Sequence, residues 1–301
     1  MSPFTEKIRR KKWDPLVRDE FYTQYSDIEN IVEQINEQFA GKTVYCPCDN
    51  WKISKFVEYF ETHFSDLGLK RLIATGIDNS FEKGYYYDSE TDTRTELDTP
   101  LMFQSLFCQK FWKDADIIVT NPPFSACTEF LDYIFNYNKQ YLCIAPLTQF
   151  TTKHFRQFLD GNMSVVGSTR QFINPEGKMY NLANIFWITN LDDTKNPELE
   201  LTKTYDDSFW KFDGTDIINV DSYKDIPKDY DGVVAVPMSY VLHHNPEQFE
   251  LVREIDSTGK SHIRTSGVFE GYHNGKAIFS RVLIRRKDSD RIEKLKEHWF
   301  W

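Results

Sequence analysis

Apolar residues recur at helical intervals in three stretches, with short, almost unbroken apolar runs between them. Ile28, Ile31, Val32, Ile35 and Phe39 keep the three-and-four spacing of one helix face, and Gly41 marks where that helix stops. The stretches SKFVEYFETHF (54–64) and SACTEFLDYIFNY (125–137) carry the same spacing. TVYCPCD (43–49), LKRLIATGID (69–78), IIVT (117–120), QYLCIAPL (140–147) and NIFWITNL (184–191) are too short and too uniformly apolar for surface helices and read as buried strands. Alternation of strand and helix predicts an α/β fold: a doubly wound, mostly parallel sheet flanked by helices. GYYYDSETDTRTELD (84–98) reads as a polar, aromatic hairpin outside the core. From about residue 196 the runs shorten and turn signals multiply, and Asn274-Gly275 between apolar runs predicts a hairpin. The expected organisation is an arm over 1–18, a larger α/β domain over 19–195 and a smaller C-terminal lobe over 196–301.

Composition adds limits. The 301 residues have a mean hydropathy of -0.55 and no apolar stretch near the ~18 residues of a membrane helix. The first residues carry charges with no apolar run behind them, so no secretory signal is read there, and a cytoplasmic location without membrane attachment is expected. The five cysteines (Cys46, Cys48, Cys108, Cys127, Cys143) lack paired C-x-x-C spacing, so reduced thiols and no metal site are expected. The net charge of -10 is unevenly spread: residues 1–18 hold +4 and residues 281–301 hold +3, leaving -17 between them. Basic ends on an acidic body can track phosphates locally, or can be merely solvated termini.

The chemistry concentrates where IIVT runs into Asn121-Pro122-Pro123-Phe124. Carboxyl ends of strands are where ligands bind in doubly wound sheets. Two prolines stiffen this turn and remove its N–H groups, so it presents carbonyls and the Asn121 side-chain oxygen. Two such acceptors can take the N–H protons of a planar amine and leave its lone pair facing an incoming methyl group, with orientation and preorganised charge as the catalytic terms. Phe124 offers a flat face for a base. The bland reading of the tetrapeptide is a rigid turn. The other strand ends supply a candidate cofactor side. Tyr45-Cys46-Pro47-Cys48-Asp49-Asn50 has no glycine, but Cys46 and Cys48 are small and Asp49 can accept a hydrogen bond. Asp78 ends the next strand, where an acid commonly meets ribose hydroxyls.

DEFYTQYSDIEN, VYCPCDNWKISKF, GLKRLIA, DIIVTNPPFS, FWITNLD and VPMSY…NPEQFEL together resemble the EcoRI-type adenine-specific DNA methyltransferases over roughly residues 18–287. The resemblance implies a methyltransferase fold in which S-adenosyl-L-methionine is the cofactor, double-stranded DNA the partner, and the N6 amine of a flipped-out adenine the target. It assigns Phe21, Tyr22 and Thr23 to the methionine end of the cofactor, Cys46, Cys48 and Asp49 to the first cofactor motif, and Asn121, Pro122, Pro123 and Phe124 to catalysis. The 196–301 lobe becomes a target-recognition region, with Arg170, His243, His244, Arg264 and Lys276 as candidate base readers. Phe186 and Trp187 lie on a strand near the target base or in the core. The stretch Thr99–Ser105 departs from the family pattern, retaining Phe103 and Ser105, which leaves Asp98 as a weak substitute for the acid that meets the cofactor's adenine. A monomer is expected, with or without a separate restriction endonuclease. Two rivals stay open: the same core acting on RNA or on a protein glutamine, and a non-catalytic DNA-binding relative.

Overall fold

A computed structural model describes residues 21–78, 80–174, 177–191 and 196–287. The basic arm over 1–18 and the basic end beyond residue 287 lie outside the described residues. The chain divides into two compact units, one formed by residues 21–146 with 163–191, the other by 147–162 with 196–287. Residues 147–162, expected within the larger domain, group with the second unit.

The first unit is built on an eight-stranded sheet. Its strands are β2 (Thr43–Cys46), β3 (Arg71–Ile77), β4 (Gly84–Asp88), β5 (Thr93–Leu97), β6 (Ile117–Thr120), β7 (Gln140–Pro146), β8 (Ser164–Ser168) and β11 (Ile185–Thr189), in the order β5-β4-β3-β2-β6-β7-β11-β8. The four central strands pair in parallel, joined through helices α2 (Lys55–Thr62), α3 (Leu106–Asp114) and α4 (Cys127–Asn136). The four outer pairings are antiparallel, so the sheet is mixed and the expectation of a mostly parallel sheet is corrected. Parallel neighbours need a long crossover, which the helices between the central strands supply; β4 and β5 follow β3 through short turns, which return the chain antiparallel. The same geometry corrects the hairpin expected outside the core. β4 is a full member of the sheet, Tyr85 and Tyr87 are buried, and buried Asp88 accepts a two-pronged bond from Arg71 of β3.

Side chains alternate across β2. Val44 and Cys46 join the cluster that includes Ile28, Ile31 and Val32 of α1 (Tyr25–Val32) and Phe56, Val57 and Phe60 of α2. Tyr45 faces the other way and meets Phe111 and Trp112 of α3. Helices therefore cover both faces. Phe186 and Trp187 are buried in β11, Trp187 within the α1/α2 cluster. The helix predicted to reach Phe39 is α-helical only to Val32; a 3-10 stretch follows, broken at Ile35 (φ -131°, ψ 22°). A small sheet of β1 (Tyr22–Thr23), β9 (Gln171–Ile173) and β10 (Met179–Asn181) completes the unit.

In the second unit α5 (Phe155–Leu159) accompanies six short strands: β12 (Ile218–Asn219), β13 (Val234–Pro237), β14 (Phe249–Leu251), β15 (His262–Ile263), β16 (Phe269–Glu270) and β19 (Arg281–Arg286). A small core of Phe212, Ile217, Ala235, Phe269 and Leu283 holds the sheet. The hairpin of β17 (Tyr272–His273) and β18 (Lys276–Ala277) turns at Asn274 and Gly275, both at positive φ as a two-residue turn requires.

Candidate active site

β2 leads outward in the sheet to β3, and β6 leads in the opposite direction to β7, so a crevice opens beyond the carboxyl ends of β2 and β6. Pro47–Asn50 follow β2 into it, and Asn121–Pro123 follow β6. Gly76 and Ile77 at the end of β3 form another wall, Leu101–Phe103 a third, and Phe21–Thr23 at β1 close the fourth side. The cleft encloses about 820 Å³, counting its solvent-open mouth.

Asn121 is held in one orientation. Its Nδ2 donates to the Phe21 carbonyl at 2.6 Å. A carbonyl can only accept, so the amide nitrogen must be the atom on that side. Oδ1 is then turned away, buried and without a hydrogen-bond partner among the described residues. Thr23 Oγ1 is a second buried oxygen with none. Leaving such an atom unsatisfied costs about 1–3 kcal/mol, a cost that a ligand bearing N–H or O–H groups removes. Phe124 starts a 3-10 turn outside the cleft lining; its ring stacks on Phe21 at 5.9 Å and 26° and meets Phe172 edge-on.

Asp49 is buried, with its carboxylate set between two hydroxyls. Ser54 Oγ donates to Oδ1 and Thr120 Oγ1 donates to Oδ2, each at 2.6 Å. Loss of water around the carboxylate pushes its pKa up to about 6, against the lowering by the two hydroxyls. Ser54 also caps α2 by accepting from the Phe56 and Val57 N–H groups. Gly76 allows β3 to run beside this loop, since a Cβ there would lie 2.5 Å from the Asn50 nitrogen. Burial pushes the thiols of Cys46 and Cys48 up, away from thiolate character.

The cleft brings together Phe21, Tyr22, Thr23, Cys48, Asp49, Phe103, Asn121, Pro122 and Pro123. It does not include Cys46, Asp78 or Phe124. Cys46 belongs to the α1/α2 core cluster. Asp78 binds its own turn, with Oδ1 accepting from the Glu82 and Lys83 N–H groups and Oδ2 from Ser80. Asp98 is exposed and also lies outside the lining. Phe103 serves two roles, lining the cleft while its ring packs on Phe130 and Tyr133. Sequence reasoning missed Gly76, Ile53 and Ser54. A glycine inside an apolar strand and a serine ahead of an apolar helix face were the available signals.

The family described as adenine-specific methyltransferase EcoRI matches residues 9–170 and 166–287. Type II methyltransferase M.EcoRI of Escherichia coli is 34% identical over 89% of this chain and 93% of its own length. M.MgeORF184P of Mycoplasma genitalium is 34% identical over 78% and 82%, and M.MpnI of Mycoplasma pneumoniae is 28% identical over 90% and 96%. No solved structure matches the chain. With both the cleft and the Asn-Pro-Pro-Phe loop inside the matched span, the chain belongs to the EcoRI family of adenine-specific methyltransferases.

Proposed function

We propose that the chain transfers a methyl group from S-adenosyl-L-methionine to the N6 amine of an adenine rotated out of duplex DNA, and that Asn121 and Pro122 are the catalytic acceptors. The observation that carries this reading is Asn121 Oδ1: buried, without a partner among the described residues, and aimed by the bond from Nδ2 to the Phe21 carbonyl. An adenine amine has two N–H protons to give, one to Oδ1 and one to the Pro122 carbonyl. Its nitrogen is thereby drawn from planarity and its lone pair freed. The positive charge developing on nitrogen meets acceptors already in place. Once bound, the cofactor supplies the electrophilic methyl group.

The cleft residues fit that cofactor. The unpartnered Thr23 Oγ1 offers an acceptor or donor, Gly76 lets the Asp49–Asn50 backbone close against the end of β3, and Phe103 gives an apolar wall. Phe21, Tyr22, Cys48 and Asp49 line the same space. Phe124 already has one neighbour on its ring in Phe21, so its part in stacking the adenine falls to the remaining face. The C-terminal lobe over 196–301 is the target-recognition region in this reading. There His243 stacks on Tyr223, His244 is hydrogen-bonded to the Tyr240 hydroxyl, and Arg264 pairs with Glu270, whereas Lys276 is exposed. Lys276 is therefore better placed than these three to meet a base edge. Arg170, exposed in the first unit, keeps the same availability.

Transfer from methyl-labelled cofactor to unmodified duplex DNA, ribosomal RNA and protein, run in parallel, tests the assignment. Label is expected in DNA as N6-methyladenine; label only in RNA or protein overturns it.

A further inference from the structure

Asp49 sits where three walls of the crevice meet. Its backbone N–H donates to the Thr75 carbonyl of β3 at 2.8 Å. One carboxylate oxygen takes the Ser54 hydroxyl at the start of α2, the other takes the Thr120 hydroxyl at the end of β6. Thr120 is fully buried and is peptide-bonded to Asn121. An ionised carboxylate only accepts, so both hydroxyls must point their protons at it and their rotamers are fixed. No Lys or Arg among the described residues forms an ion pair with Asp49. A buried carboxylate solvated by hydroxyls alone is a poor way to gain stability, because apolar side chains of similar volume would join these elements at lower cost. Its geometry instead suits the exact setting of one strand end against another.

We infer that Asp49 is a positioning residue for methyl transfer: through Thr120 it fixes the backbone from which Asn121 projects, and through Ser54 it locks that setting to the Pro47–Asn50 loop on the cofactor side. The inference rests on Asn121 being the amine acceptor. Breaking the bond to Thr120 leaves the cleft lining intact and lets the Asn121 oxygen wander from its productive position, and displacements of about 1 Å cost on the order of 100-fold in rate.

The test uses the full chain with Thr120→Val, which keeps the shape and removes the hydroxyl, and Thr120→Ser, which keeps the hydroxyl. Cofactor affinity is measured by calorimetry, single-turnover transfer to unmethylated duplex DNA at saturating cofactor, and folding by thermal unfolding. Thr120→Val is expected to bind cofactor within about threefold of wild type and to transfer methyl at least about 30-fold more slowly, with Thr120→Ser within about threefold of the wild-type rate. Thr120→Ala, which also removes the hydroxyl at a position outside the cleft lining, supplies the same comparison if Thr120→Val does not fold, and is expected to show the same split between rate and affinity. A wild-type rate in the broken-bond variant, or equal losses of rate and cofactor affinity, overturns the positioning role. Wild-type protein inactive on DNA overturns the functional reading as well, so the two failures are told apart.

Discussion

A buried amide oxygen without a partner costs a folded protein about 1–3 kcal/mol, and Asn121 Oδ1 is such an atom. Asn121→Ala removes that cost together with the bond to Phe21, so its melting temperature is expected to stay close to wild type. Methyl transfer should fall by at least about 100-fold, with the cofactor dissociation constant nearly unchanged in calorimetry; a near-normal rate would remove the catalytic role of this side chain. Asp49 leads to a prediction on pH. Its folded pKa of about 6 lies above the ordinary carboxylate value of 3.8. Between those values the folded protein keeps a proton that the unfolded chain has released, so stability falls as pH rises through this window and levels off above about 6, by roughly 3 kcal/mol in all. Denaturant unfolding of wild type and Asp49→Asn across pH 4 to 7 should show wild type losing ground to the variant as pH rises. His244 acts in the opposite sense: burial holds its pKa down to about 4, so its contribution weakens as pH falls from about 6.5. A difference between wild type and Asp49→Asn that is flat with pH would contradict the assignment to Asp49.

Gly76 and Ser54 act on whole elements. A Cβ at Gly76 would lie 2.5 Å from the Asn50 nitrogen and 2.6 Å from the Asp49 carbonyl carbon, backbone atoms that cannot step aside. Gly76→Ala is therefore expected to push β3 and the Pro47–Asn50 loop apart, at about 1–3 kcal/mol of stability and a cofactor affinity reduced at least tenfold, read by thermal unfolding and calorimetry. The central strands, α2 and α4 were legible because their apolar runs and helical faces are long relative to the turns between them, whereas α3 over Leu106–Asp114 was not read as a helix. The hairpin of β4 and β5 was misread because DSETDTRTELD is polar, whereas what buries β4 is its pairing with β3 and the Arg71–Asp88 contact, neither of which is a local property. The break at Ile35 escaped because Ile35 and Phe39 continue the helical spacing across it. At the site, Asn121 was legible from the prolines beside it. Asp78 attracted a cofactor role by position alone, and the turn of residues 80–83 occupies its oxygens instead.

At the scale of the whole molecule, no helix among the described residues is long and apolar enough to cross a membrane. The net charge of -10 means that attraction to DNA must come from local basic segments rather than the overall field. Residues 1–18 hold six Lys/Arg; if all of them meet phosphates, removing them should lower the slope of log affinity for duplex DNA against log salt by up to about 5.4. An unchanged slope would exclude the arm from DNA contact. The bond between Asn121 and the Phe21 carbonyl also has a consequence for biosynthesis. β1, which carries the register next to Phe21, pairs with β9 at residues 172 and 173. During synthesis the Asn-Pro-Pro-Phe loop therefore leaves the ribosome before the strand that steadies the Phe21 carbonyl. A nascent chain of about 160 residues is expected to be silent toward DNA, with competence awaiting both the β1–β9 contact and the 196–301 lobe.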